Sequence, residues 1–155
     1  MNNKEALKQL ETELKLKGFS ENTLSTYKFF IEKFLGDLNK KPSDITKNDI
    51  KNFLASHMDH YSNKTNALIA SALNFFSKFV LNINFSLPAP KVEKKLPIAL
   101  TKEEMKTLIE NSGSYKSKLI ILLLYSSGLR VSELVNLKRS DLDFSEKIGW
   151  VRKGK

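Results

Sequence analysis

Two oppositely charged side chains, Arg130 and Glu133, stand three residues apart directly after a Gly-Leu pair. A guanidinium group is planar, permanently charged and able to hold two phosphate or carboxylate oxygens at once. Gly128 would let the backbone turn sharply enough to aim it. Residues at i and i+3 of a helix are also neighbours, so the same pair fits an ordinary surface ion pair. From these residues alone the surface ion pair is favoured, and an anion-binding arginine is the alternative.

The overall charge favours a polyanionic partner. The 155 residues carry 26 Lys and Arg against 17 Asp and Glu, which gives a net charge of +9 and a pI near 9.6. The excess is +3 in residues 1–87 (12 basic, 9 acidic) and +6 in residues 88–155 (14 basic, 8 acidic). Nucleic acid is the commonest partner of such a chain. A basic surface that serves only solubility is the alternative.

The composition excludes several classes of protein and site. Hydrophobic residues make up 41% and charged residues 28%, which is typical of a globular chain rather than a disordered one. The absence of cysteine excludes disulfides and thiolate metal sites. His57 and His60 have no evident third ligand, which favours exposed polar residues over a metal pair. Residues 1–5 do not begin a signal peptide, and the apolar run 119–125 is too short to span a bilayer. We expect a cytoplasmic protein without metal, cofactor or membrane partner.

Residues 1–82 are predicted to form four amphipathic helices, because apolar residues recur there with the helical period. Ser20 is expected to cap the second helix, the third is expected to begin near Thr46 and the fourth after Ser62, and Gly18 and Pro42 are natural breaks. The predicted buried positions are Leu7, Leu10 and Leu14 in the first helix; Leu24, Tyr27, Ile31, Phe34, Leu35 and Leu38 in the second; Ile50, Phe53, Leu54 and Met58 in the third; and Leu68, Ala72, Phe75, Phe76 and Phe79 in the fourth.

A second unit follows an expected linker at residues 83–97, where Pro88, Pro90 and Pro97 disfavour a helix. Residues 98–155 predict helices at 101–111, 115–126 and 130–137, and then one strand at 148–152. A strand without a partner leaves its ladder groups unpaired, so the second domain is expected to be cut short.

The stretch of residues 125–134, Tyr-Ser-Ser-Gly-Leu-Arg-Val-Ser-Glu-Leu, resembles the first catalytic motif of tyrosine site-specific recombinases of the Xer and phage-integrase type. Ser127 departs mildly from the threonine common there. The segments Gly18-Phe19-Ser20, Asp44-Ile45-Thr46, Lys64-Thr65-Asn66 and Leu100-Thr101-Lys102 resemble other parts of the same family. The resemblance covers nearly the whole chain. It implies a mainly α fold, in which a four-helix SAM-like core-binding domain precedes the start of an α+β catalytic domain.

The resemblance also implies roles for individual residues. Arg130 would stabilise the pentacovalent phosphate of DNA strand exchange, and Glu133 would orient it. Lys155 resembles the hairpin lysine that protonates the departing 5′-oxygen, although a frayed basic terminus is the alternative. The family's His-x-x-Arg pair, its further His or Trp and its nucleophilic tyrosine cannot be assigned. The tyrosines present, at positions 27, 61, 115 and 125, are expected to be core or surface aromatics.

By the same resemblance, the second and fourth helices would enter the major groove of DNA. Lysines and hydroxyls there would bind mostly phosphate, while asparagines can read adenine edges. Taken singly each is better explained as a surface residue, but as a set they form a DNA-binding face: Asn22, Thr23, Thr26, Lys28, Asn63, Lys64, Asn66 and Ser71, with Lys91, Lys94 and Lys95 in the linker.

The implied partners are double-stranded DNA and other recombinase protomers, in a tetramer on DNA. Three interpretations stay open: part of a recombining enzyme that is inactive without the rest, a stand-alone DNA-binding protein that occupies recombination sites, and, more weakly, a helical protein-interaction module.

Overall fold

The computed structural model describes residues 1–92 and 96–151, and the chain divides into two compact units, Met1–Lys95 and Leu96–Lys155. The first unit is a bundle of four helices with a short 3-10 turn at Pro42–Asp44. Its helices are α1 (Asn3–Leu16), α2 (Glu21–Leu38), α3 (Lys47–His57) and α4 (Asn63–Phe79). The second unit contains helices α5 (Lys102–Glu110), α6 (Tyr115–Ser127) and α7 (Val131–Val135), a 3-10 turn at Arg139–Asp141, and strands β1 (Leu142–Asp143) and β2 (Ile148–Gly149).

Local capping explains where the first-unit helices begin. The side chains of Ser20 and Ser62 accept hydrogen bonds from the third residue of α2 and of α4. Thr46 does the same for α3, and the carboxylate of Asp49 accepts a hydrogen bond from the backbone N–H of Thr46. The cap at Ser20 was predicted, and the starts of α2, α3 and α4 agree with the prediction to within a residue.

The core of the first unit is built from the predicted apolar faces. Phe34 of α2 and Phe76 of α4 are completely buried, with their rings 6.3 Å apart in an edge-to-face arrangement. The ring of Phe53 of α3 also packs edge-to-face on Phe34, with the ring centres 5.1 Å apart. Two predicted positions are wrong: Met58 is 45% exposed because it follows the last turn of α3, and Leu68 is 38% exposed on the outer side of α4.

The beginning of the expected linker packs on the first unit. Leu87 is buried, and its backbone N–H and carbonyl both bond to the side-chain amide of Asn74, at 2.6 and 3.1 Å. Ile83 donates to the carbonyl of Ser77, and Ile83 and Phe85 pack against the core. The side-chain amide of Asn74 therefore bonds to the backbone of Leu87 as a neighbouring strand would, and it holds this extended segment against the bundle.

The second unit has the predicted helices but a different end. Residues 142–143 and 148–149 form an antiparallel hairpin in which Leu142 is opposite Gly149. The backbone N–H of Trp150 also donates to the carbonyl of Asp141. The prediction of an unpartnered strand was therefore wrong, because the partner precedes it and is too short to be recognised from alternation.

The described residues contain no helix that is both long and apolar enough to cross a membrane.

Candidate phosphate-binding and DNA-binding residues

The turn between α6 and α7 places Arg130 at the end of a sharp reversal. Gly128 ends α6 in the left-handed conformation, with φ of 64°, and its N–H donates to the carbonyl of Leu124. An L side chain at this position would be strained, so the sharp turn depends on this glycine. Two residues later Arg130 is extended and serves as the N-cap of α7.

Glu133 holds Arg130 through two hydrogen bonds. One carboxylate oxygen accepts from the backbone N–H of Arg130 at 2.8 Å, and the other accepts from its guanidinium at 2.8 Å. The Glu133 side chain is 12% exposed, whereas that of Arg130 is 67% exposed. The backbone N–H of Arg130, and then its guanidinium, lower the pKa of the Glu133 carboxyl below its usual value. Glu133 is therefore a fixed anion that ties the guanidinium to the start of its own helix.

The geometry of Arg130 and Glu133 fits a surface ion pair, and it also fits an arginine that a carboxylate holds in one orientation. Only the Nη1 group of Arg130 is bonded to a described residue, so the rest of the guanidinium can bind an anion from solvent. Helix α7 has five residues, so its dipole is small and the anion-binding capacity lies in the side chain itself.

The predicted hairpin lysine and two of the linker lysines cannot be placed, and the two tyrosines of the second unit are on its surface. Lys155, Lys94 and Lys95 fall outside the described residues. Tyr115 and Tyr125 are exposed in the second unit.

In the first unit, two aromatic side chains are committed to packing or local bonds. Tyr27 is buried, and burial raises the pKa of its hydroxyl. Tyr61 is partly buried, and its hydroxyl accepts from Lys33 at 3.1 Å. Both are in the first unit, away from the residues of the Arg130 turn in the sequence.

His57 is more enclosed than the sequence suggested. Its side chain is 14% exposed, lies parallel to the ring of Tyr61, and shares a hydrogen bond at 2.9 Å with the carbonyl of Phe53. His60 is exposed, as predicted. No cluster of three or more possible metal ligands occurs among the described residues. Packing at the end of α3 therefore accounts for His57.

The hydroxyls proposed to contact DNA have local partners. Thr26 and Ser71 each donate to the carbonyl four residues earlier, at 2.7 and 2.8 Å. Thr23 pairs with the capping hydroxyl of Ser20. Since the protons of Thr26 and Ser71 are used within the helix, these groups can only accept from an incoming partner, and Ser71 is also bonded to the hydroxyl of Tyr27.

Two members of the proposed DNA-contacting set are committed elsewhere. The side chain of Asn66 is completely buried, and its amide nitrogen donates to the carbonyls of Met58 and Tyr61 at 2.9 and 3.0 Å. Asn66 closes the turn between α3 and α4, so its side chain is not accessible to DNA in this structure. Lys28 lies 2.7 Å from Glu11 of α1, which raises the lysine pKa and neutralises its charge locally.

Asn22, Asn63, Lys64 and Lys91 are exposed. The side chain of Asn63 donates to the carbonyl of Lys91 at 3.3 Å, which brings the segment after the bundle to the start of α4. The sequence also carries a signal that charge totals conceal: residues 60–92 contain no Asp or Glu. Helix α4 is therefore free of acidic residues, and it would not repel a polyanion.

Comparison with protein families matches both units. Residues 6–86 match the phage integrase N-terminal SAM-like domain, which is more than half of the chain. Residues 99–155 match the phage integrase family.

Individual relatives agree. The chain is 41% identical over 156 residues to the tyrosine recombinase XerA of Pyrococcus furiosus, across 97% of this chain and 53% of that protein. It is 31% identical to the tyrosine recombinase XerC of Staphylococcus aureus, across 83% of this chain and 48% of that protein. A crystal structure of XerA recombinase is 32% identical in sequence and has a TM-score of 0.49. The match covers 99% of this chain and 56% of that chain. The chain spans about half the length of the curated relatives it matches. It belongs to the phage-integrase family of tyrosine recombinases and corresponds to the N-terminal portion of its Xer-like members.

Proposed function

We propose that this chain supplies the DNA-binding unit and the first phosphate-binding arginine of a tyrosine recombinase. Such an enzyme cuts and rejoins duplex DNA at specific sites through a 3′-phosphotyrosyl intermediate. The observation that carries the proposal is the Arg130 turn, where a glycine reversal and a two-point bond to Glu133 hold an exposed guanidinium.

The chemical role follows from charge development in the reaction. When a tyrosine oxygen attacks the scissile phosphate, the non-bridging oxygens gain negative charge, and a fixed guanidinium stabilises that charge more than it stabilises the ground state. Glu133 keeps Arg130 in one orientation, so little reorganisation is needed during the reaction. Lys155 is proposed as the general acid for the leaving 5′-oxygen. We propose that the nucleophile and the remaining catalytic groups belong to a segment that corresponds to the C-terminal half of the relatives. Other protomers are proposed to assemble on the same DNA.

The DNA-binding part is tested by measuring duplex affinity over a range of salt concentrations, with the whole chain and a labelled duplex. If about four to six phosphates are neutralised, log K falls against log salt with a slope of about −4 to −5. A flat profile, or no binding at low salt, contradicts DNA binding and leaves a protein-interaction module. With a nicked duplex, we expect this chain alone to form no denaturation-resistant adduct; an adduct would show that one of its tyrosines is the nucleophile.

The catalytic part is tested in a fusion of this chain to the C-terminal portion of Pyrococcus furiosus XerA. Arg130→Ala should lower the cleavage rate by more than about 100-fold, equivalent to about 3 kcal/mol, while site binding is largely kept. Arg130→Lys should restore only part of the rate, because an ammonium cannot form the two-pronged contact. Arg139→Ala removes the other described arginine and is the matched control. Equal rates for Arg130→Ala and the parent would refute the assignment. A fusion that binds but does not cut would favour a stand-alone DNA-binding protein.

A further inference from the structure

Helix α4 presents an exposed stripe of three chemically different side chains. Lys64, Leu68 and Ser71 occupy positions i, i+4 and i+7, which lie on one side of a helix. All three are exposed, and Leu68 retains 38% of its accessible surface. The packed side of the same helix is occupied by other residues, including Leu73 and Phe76, so the bundle does not need Leu68 for its core.

The surroundings of the stripe fit a polyanionic partner such as DNA. Helix α4 carries two lysines and no acidic residue, and residues 60–92 contain none. Ala67, between Lys64 and Leu68 on the same side of the helix, is small and partly exposed, so the backbone can approach a partner closely. A helix with this charge and breadth fits the major groove of B-DNA, which is about 12 Å wide.

Two of the exposed groups have a complement on a base edge. The proton of Ser71 is committed to the carbonyl of Ala67 at 2.8 Å and the Tyr27 hydroxyl also bonds to Ser71, so the Ser71 oxygen keeps at most one lone pair for a partner. Leu68 presents only methyl groups. In the major groove the only apolar group on a base edge is the C5-methyl of thymine, and adenine offers an amino donor on the same base pair.

We propose that Leu68 is a specificity-determining residue that packs against a thymine methyl group in the major groove, so that this unit prefers A·T pairs beneath α4. The inference rests on the proposed DNA binding and adds a base preference to it. The lysine supplies affinity that does not depend on sequence, and the leucine supplies discrimination.

The test removes the methyl group from the DNA and the side chain from the protein in turn. The whole chain is titrated with a short alternating A·T duplex, and with the same duplex in which every thymine is replaced by uracil. Loss of one buried methyl-sized group lowers affinity by about four-fold. We therefore expect the uracil duplex to bind about four-fold more weakly. Leu68→Ala should bind both duplexes equally, whereas Leu68→Met should keep the difference because it retains an apolar contact.

Leu16→Ala is the matched control, because Leu16 is an exposed leucine on α1, 78% accessible, and outside the stripe. It should keep the parental difference between the two duplexes. Thermal unfolding of the variants should be unchanged, since both leucines are outside the core.

Equal binding of the two duplexes by the parent overturns the thymine contact while DNA binding stands. A Leu68→Ala chain that keeps the difference assigns the methyl contact to another residue and also overturns the proposal. Failure of the parent to bind either duplex at low salt removes the proposed function itself.

Discussion

In the first unit, apolar side chains of four helices converge on one core, whereas in the second unit apolar helices are formed and stay exposed. Every buried hydrophobic residue among the described residues lies in the first unit. In the second, Leu119 and Leu122 of α6 and Trp150 after β2 are 57%, 40% and 51% exposed. Helix α6 is apolar on nearly all its sides, which is the pattern of a helix surrounded by other elements. Residue pattern determines that a helix forms; burial of its face depends on what packs around it.

A consequence of this difference is that the stability of the chain resides in the first unit. Capping, helix propensity and local hydrogen bonds hold α5 to α7, but these contribute far less than core packing.

Phe76→Ala should destabilise the chain by about 3 to 5 kcal/mol, because it removes a completely buried ring from the centre of the bundle. Leu122→Ala, in the second unit, should change the free energy of unfolding by less than about 0.5 kcal/mol. Denaturant unfolding followed by circular dichroism measures both. Similar losses from the two substitutions would show that α6 is part of a core and would remove the contrast.

Asn66→Ala should cost about 1 to 3 kcal/mol, because the carbonyls of Met58 and Tyr61 lose their shared donor. Its own Oδ1 has no partner among the described residues, so the loss is smaller than for a fully bonded amide. Asn63→Ala is the control on the same helix, since that side chain is exposed and should contribute little. If Asn66→Ala weakens DNA binding without changing the unfolding curve, the original assignment of Asn66 to DNA is restored.

Asp49 should give the first unit an acid-sensitive contribution of about 1 kcal/mol. The hydrogen bonds from Lys40 and then from Thr46 lower the pKa of this carboxyl from 3.8 to about 2. Because the folded-state pKa is the lower one, the stabilisation is present above pH 3.8 and is lost as the pH falls towards 2. Asp49→Asn should lower stability at neutral pH and flatten the acid limb of the stability profile. An acid limb of unchanged slope in Asp49→Asn would mean that other carboxyls carry it.

Gly128→Ala should have the smallest effect on global unfolding, although it strains the turn locally by about 1 kcal/mol because φ is 64°. The strain falls in the second unit, so the unfolding midpoint of the bundle should not move. In the catalytic fusion the same substitution should lower the cleavage rate, since it displaces Arg130. A shifted midpoint in this chain would show that the two units unfold together.

The positions of the helices follow from the sequence alone. Capping hydrogen bonds and the spacing of apolar residues along a helix involve residues that are only a few positions apart. The starts of α2, α3 and α4 at Ser20, Thr46 and Ser62 follow from local hydrogen bonds, and the left-handed Gly128 follows from the need to reverse the chain. The Arg130–Glu133 pair is equally local, since an N-cap residue and the third residue of its helix are neighbours.

The accessibility of polar residues, and the packing of segments such as residues 83–87 on the bundle, depend on the tertiary structure. Asn66 and Asn63 are both polar residues in the first turns of α4, yet one is buried beneath the preceding turn and the other faces solvent. The bond between Asn74 and Leu87 joins residues 13 apart, and the pairing of Leu142 with Gly149 involves strands of two residues each. Accessibility and pairing depend on neighbours brought together by folding, and the period of a sequence carries no record of them.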